Sequence, residues 1–202
     1  MTHETASALL ALTTPDADDL ERLRSRLATD ALASGDLDVA YATVDTPVGA
    51  LLLAATDHGL VRVAYEREGF DAVLETLATQ VSSRVLRAPQ RLDIAAREID
   101  EYFAKRRTVF DLPLDFSLSS GFRQTVQRHL PDIAYGHTES YKVVAEAVGN
   151  PKAVRAVGTA CATNPLPVVV PCHRVVRSDG SPGNYAGGPE AKITLLTLEG
   201  AA

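Results

Sequence analysis

The chain has 202 residues, 46% of them hydrophobic and 23% charged, enough to bury a sizeable core in one large or two small domains. No apolar run nears the roughly 20 residues needed to cross a bilayer, and the stretch from Ala6 to Leu12 lacks the basic flank and cleavage site of a signal peptide, so a cytoplasmic protein with no membrane partner is expected. A net charge of -6 excludes a uniformly basic surface, yet the acid is unevenly placed: residues 1–117 carry 12 basic and 20 acidic side chains, and residues 118–202 carry 8 and 6.

Thr14-Pro15-Asp16 reads as an N-cap followed by proline at the first helical position, and Leu20, Leu23 and Leu27 recur at helical spacing. A helix is predicted over 15–33, ended by Ser34-Gly35-Asp36. Residues 39–44, 51–55 and 60–65 are β-rich runs parted by Thr46-Pro47-Val48-Gly49 and Asp57-His58-Gly59, which predicts a small antiparallel meander. Apolar residues three and four apart over 70–78 and 92–103 predict helices covering one face of that sheet. The fold class expected is α+β, with an extension over 1–36 and a sheet domain over 37–116.

From Gly121 the pattern turns helical, with Phe122, Val126 and Leu130 on one stripe. Ser140 can cap a helix running to Val148, Gly149 can stop it, and Asn150-Pro151 predicts the start of the next, so residues 117–202 contain a helix-turn-helix. On the second helix Val154, Val157 and Cys161 share one face, and Lys152, Arg155 and Thr159 another. The first face can pack and the second can meet phosphate. By itself this pattern also fits a plain helical hairpin with a solvated basic edge.

Cys161 and Cys172 with scattered histidines offer no plausible metal ligand set, so no metal or other cofactor is expected and reactivity becomes the question. Asn164-Pro165-Leu166-Pro167 ends the second helix, Val168-Val169-Val170 is apolar enough to be buried, and Pro171-Cys172-His173-Arg174 follows at once. Cys172 therefore sits where a buried segment comes out, among His173, Arg174 and Arg177, cations of the kind that favour a thiolate. Adjacent side chains diverge in strand and helix, so His173 can act on Cys172 only through a bridging water or an unusual turn. For a lone Cys-His pair, an inert buried cysteine beside a solvated histidine fits equally well.

The whole run from Asn164 to Val176, however, resembles the active-site signature of O6-alkylguanine-DNA alkyltransferases. The likeness extends to Gly136-His137-Thr138-Glu139-Ser140-Tyr141, to the run from Gly149 to Gly158, to Gly183-Asn184-Tyr185-Ala186-Gly187-Gly188 and to the closing Leu195 to Glu199. Residues 39–112 resemble the family's ribonuclease-H-like first domain more loosely, and the second domain would be mainly helical with a winged-helix-like helix-turn-helix.

This resemblance implies a monomeric protein that binds duplex DNA, flips out O6-alkylguanine, with O4-alkylthymine as a further candidate lesion, and moves the alkyl group to its own cysteine once. It implies Cys172 as nucleophile, His173 as base through a water, Glu199 orienting that histidine, and Asn164 holding the turn behind the cysteine. Tyr141 would donate to guanine N3, the Cys172 and Val175 carbonyls would accept from its amine, and Tyr185 and Ala186 would line the pocket. Arg155 would fill the gap in the base stack beside Lys152 and Thr159, and the small Ala153, Ala156 and Gly158 would let the helix approach a groove. Arg174 is left outside this relay, since a buried bridge to a first-domain carboxylate fits it at least as well as a catalytic part. Two departures stand out: Gln127 where relatives commonly carry Trp, and Cys161 where a larger apolar residue is usual; packing is the expected role of both. A non-catalytic relative that only flags alkylated DNA would lack Cys172, and a thiol hydrolase would need His129 or His137 to reach the sulfur.

Overall fold

The computed structural model describes residues 16–201. The predicted Thr14 cap lies outside that range, and the described N-cap is Asp16, whose carboxylate accepts from the Asp19 N–H at 2.7 Å and opens α1, Ala17–Ser34. Gly35 ends this helix at φ 75°, the left-handed conformation that glycine adopts without a Cβ penalty. The leucine stripe is not its packing face. Leu23 and Leu27 are 60% and 55% exposed, while Ala28 and Ala31 bury against Leu37, Ala40 and Ala88, because only the last turns of the helix reach the sheet.

The predicted meander is present as β1 (Val39–Val44), β2 (Leu51–Thr56) and β3 (Gly59–Tyr65), all antiparallel. A short β4, Val85–Arg87, adds parallel to β1 and gives the order β3-β2-β1-β4. Helices cover both faces of the sheet and not one. Val73 and Leu77 of α2 (Phe70–Gln80) pack on Leu52, Ala54, Val61 and Ala64, whereas Ala95, Ile99 and Tyr102 of α3 (Asp93–Phe103) share a core with Leu51, Leu53 and Val63. β2 is buried along its whole length, so both of its faces need an apolar cover.

The helical domain comprises α4 (Gly121–His129), α5 (Tyr141–Ala147), α6 (Val154–Ala162) and α7 (Gly188–Glu199). A two-stranded parallel pair, β5 (Glu139–Ser140) with β6 (Val175–Val176), lies beneath them. Ser140 caps α5 as predicted, its hydroxyl accepting from the Val143 N–H at 3.2 Å. α6 begins three residues later than Asn150-Pro151 suggests: the Asn150 carbonyl accepts the Ala153 N–H, closing a turn with proline at its second position. Lys152 thus sits in the turn and not on the helix face, and Val154, expected to pack, is 37% exposed beside buried Val157 and Cys161. One hydrophobic cluster runs from Leu51 and Tyr102 through Val126 and Val157 to Cys172 and Leu195. The cysteine therefore lies in the seam between the sheet and helical domains. No helix among the described residues is long and apolar enough to cross a membrane.

Candidate active site

Cys172 opens a one-turn 3-10 helix, Cys172–Arg174, and is 1% exposed. The segment before it is wound tightly: Val168 stands at φ 73°, a region that β-branched residues rarely enter. Asn164 holds that segment in place. Its Oδ1 accepts from the Leu166 N–H at 3.0 Å, and its Nδ2 donates to the Val170 carbonyl at 2.8 Å and to Cys172 Sγ at 3.1 Å. Burial pushes the thiol up to about 11, against the pull of the Asn164 amide and the Lys192 charge. The resting sulfur is therefore protonated, and the cationic thiolate setting expected from His173, Arg174 and Arg177 is not what the fold builds.

The cations are engaged elsewhere. Arg174 grips Glu199 with two hydrogen bonds, Nε to Oε2 at 2.9 Å and Nη2 to Oε1 at 3.0 Å, and gives a third to the Ile133 carbonyl. The carboxylate that such a bridge would find in the first domain is thus the relay carboxylate at the end of α7. Glu199 also faces His173 Nε2 at 2.9 Å, the Tyr102 hydroxyl at 2.6 Å and the Gly136 N–H at 3.3 Å. Burial would raise such a carboxyl, yet the bonds from His173, Arg174 and Tyr102 outweigh it and hold Glu199 at about 2.

His173 is completely buried, and that burial lowers its pKa against the attraction of Glu199. A neutral imidazole with its Nε2–H on a carboxylate presents Nδ1 as an acceptor. Nδ1 is buried and bonds to no atom of the described residues. The ring can therefore receive a proton from the cysteine side and keep the resulting charge beside Glu199.

Four further residues adjoin this buried region. Lys192, fully buried on α7, donates to the Val175 carbonyl at 2.6 Å, leaving that oxygen one lone pair for a second donor. Tyr141, at the first position of α5, lies against Gly183 so closely that a Cβ there would overlap its hydroxyl. Burial raises the Tyr141 phenol to about 12, a protonated donor at any ordinary pH. Tyr185 is buried edge-on to His173, with ring centroids 6.2 Å apart, and Ala186 beside it packs on the same core.

Outside, a recess of about 340 Å³ is lined by Tyr141, Arg155, Gly158, Thr159, Arg177 and Gly183. Arg155, Gly158 and Thr159 thus meet at its mouth, whereas Lys152, Ala153 and Ala156 lie outside the lining.

Known proteins resemble this chain over both of its domains. The family description "6-O-methylguanine DNA methyltransferase, DNA binding domain" matches residues 121–201, and its "ribonuclease-like domain" matches 39–116. The chain belongs to this family. The methylated-DNA–protein-cysteine methyltransferase of Mycolicibacterium paratuberculosis is 40% identical over 161 residues, 80% of this chain and 92% of that one. The constitutive Bacillus subtilis enzyme of the same name is 39% identical over 160 residues, 79% and 94% of the two chains. A crystal structure of Mycobacterium tuberculosis OGT in complex with DNA aligns with a TM-score of 0.69 at 35% identity, covering 80% of this chain and 93% of that one.

Sequence reasoning missed Tyr102, Lys192 and Tyr65, the last bonded to the Tyr185 hydroxyl at 3.0 Å. Lys192 left a signal: it stands beside Ala191 and Leu195 on the buried stripe of α7, where an unpaired lysine is costly. Tyr102 shares its stripe with Ala95 and Ile99 and reads as ordinary core. Gln127, expected only to pack, is fully buried and ties α4 to α6 through Nε2 and the Ala160 carbonyl at 3.0 Å.

Proposed function

We propose that this protein reverses alkylation damage directly, transferring the alkyl group of O6-alkylguanine in duplex DNA to Cys172. The observation that carries the reading is a buried thiol next in chain to a neutral histidine whose outer nitrogen is fixed by Glu199 and whose inner nitrogen is free to accept. Residues 37–116 act as the sheet domain and 117–202 as the DNA-binding and transfer domain, with 1–36 as an extension. Both cysteines are free thiols, as suits a reducing cytoplasm, and the monomer needs no metal or cofactor.

The reacting atom is unreachable in a stacked duplex, so the guanine must be flipped into the seam, with Arg155 at the mouth of the recess filling the vacated position. Lys152 and Thr159 contact phosphate, and the small side chains of Ala153, Ala156 and Gly158 permit close approach. The base enters between Tyr141 and Tyr185, beside Ala186, with its amine on the Cys172 and Val175 carbonyls. The thiol proton passes through a water to His173 Nδ1, the imidazolium is stabilised by Glu199, and the thiolate attacks the alkyl carbon. The C–S bond forms as the C–O6 bond breaks, Tyr141 protonates N3 so that guanine leaves neutral, and the proton held on His173 is released to solvent as the Tyr141 phenolate takes one back. Asn164 keeps the sulfur aimed. O4-alkylthymine fits the same chemistry, with an oxygen leaving group on a pyrimidine.

Incubation with an O6-methylguanine duplex, followed by intact mass and peptide mapping, tests this. One methyl on Cys172 and repair that halts at one equivalent are expected, with no transfer by Cys172→Ser. Repeated turnover, or a methyl elsewhere, would overturn the reading.

A further inference from the structure

Tyr65 belongs to the sheet domain, 120 residues from Tyr185, yet it is 2% exposed and its hydroxyl pairs with the Tyr185 hydroxyl at 3.0 Å. The two rings meet edge-on with centroids 5.7 Å apart, and Tyr185 in turn stands edge-on to His173. Tyr65 is firmly seated at the end of β3, paired with Leu51, and its N–H donates to Glu68 Oε1 at 2.8 Å. Tyr185 by contrast lies in the irregular stretch between β6 and α7. The glycines that follow it are fitted to the sheet domain: a Cβ on Gly187 would overlap the Tyr65 ring, and one on Gly188 would overlap the Arg67 guanidinium.

The same strand braces the opposite wall of the site. The Val63 N–H donates to the Pro165 carbonyl at 2.8 Å, and Arg62 Nη1 reaches that carbonyl at 3.1 Å. Pro165 adjoins Asn164, the residue bonded to the sulfur. One end of β3 therefore sets both the turn behind Cys172 and the aromatic wall in front of it.

We propose that Tyr65 is a positioning residue that determines alkyl-group specificity, its hydroxyl holding the Tyr185 ring against His173, the neighbour of Cys172, so that small groups are favoured over large ones. The inference rests on the alkyl-transfer reading above. A methyl adds little to the space at Sγ, whereas a benzyl group needs the Tyr185 ring to withdraw, and the hydroxyl pair opposes that withdrawal. Without it the irregular stretch yields to the larger group while the smaller one gains nothing.

The test is the ratio of transfer rates from O6-benzylguanine and O6-methylguanine placed in the same duplex, in single-turnover conditions. Tyr65→Phe keeps the ring and removes the bond, and should raise the benzyl-to-methyl ratio by about three- to tenfold, the range that follows from losing one neutral hydrogen bond. Tyr185→Phe removes the same bond from the other side and should raise the ratio alike, with the double variant no higher than either single one. A ratio unchanged in either variant, or both rates falling by one common factor, overturns the proposal, because a merely structural role lowers both together. A parent protein that places no methyl on Cys172 overturns the transfer reading and this inference with it; a reactive parent with an unmoved ratio overturns this inference alone.

Discussion

Replacing Glu199 with Gln removes one charge from a carboxylate that accepts from Tyr102, His173, Gly136 and both sides of the Arg174 fork. Two routes give the cost. Lowering a buried carboxyl from its ordinary 4.5 to about 2 corresponds to stabilisation on the order of 3 kcal/mol. Leaving the Arg174 guanidinium, 6% exposed, without its counter-charge costs about 3–5 kcal/mol in comparable buried pairs. For a chain of this size the melting temperature should fall by about 6–20 °C. The pH dependence carries a sign. Because folding lowers the Glu199 pKa, its contribution is fully present above about pH 4.5 and is lost as pH falls toward about 2. The gap between parent and Glu199→Gln should therefore be widest near neutrality and narrow across that acid window, as read by denaturant titration at a series of pH values. Adding Arg174→Met should return part of the stability, since the stranded charge is gone, but not the transfer rate, which needs an anion beside the imidazolium and should stay down by about 100-fold or more. A variant as stable as the parent at pH 7, or a gap that does not change with pH, would refute the account of Glu199 as a buried, multiply bonded anion.

At the recess, Arg155→Ala should slow lesion processing by about tenfold or more, because a side chain that fills the stack is hard to replace, whereas Lys152→Ala should cost about twofold in affinity and shallow the salt dependence. Equal losses in a single-turnover assay would reduce both to phosphate contacts. Alkylated protein should melt lower than free protein, since the group joins a sulfur that is 1% exposed and inserting methylenes into a packed site costs about 1–3 kcal/mol. A benzyl adduct that melts at or above the free protein would show that the pocket accommodates its product.

The chemistry was legible where it is local. Asn164, Cys172 and His173 lie within ten residues of one another, and Pro165, Pro167 and Pro171 mark the turn that joins them, although nothing local announces the positive φ at Val168. Ser140 and Gly149 likewise marked the ends of α5 through short-range capping rules that tertiary context does not override. What the sequence concealed is long-range. Tyr65 and Tyr102 sit on apolar stripes, where a buried phenol looks like core until its partner, 120 or 97 residues away, is known, and Lys192, though out of place on its stripe, does not reveal its acceptor 17 residues away. The three residues of β4 are too few to show a period. The unbroken apolar run over residues 51–55 does encode a strand covered on both faces; which helix covers which face is set by long-range packing that periodicity within each helix does not show. The thiol environment was misread for a related reason: adjacency of His173 and Arg174 in the chain suggested cations around the sulfur, whereas the 3-10 turn sends both toward Glu199.

The burial of Cys172 matters over the lifetime of the molecule as well as during the reaction. A protein that acts once is a reagent, and a cell's capacity to correct lesions equals the number of copies whose sulfur is still unmodified. A thiol that is 1% exposed and stays protonated until about pH 11 is a poor target for peroxides and for the small electrophiles that damage DNA in the first place. Each copy is thereby shielded from the same chemical exposure that creates its substrate.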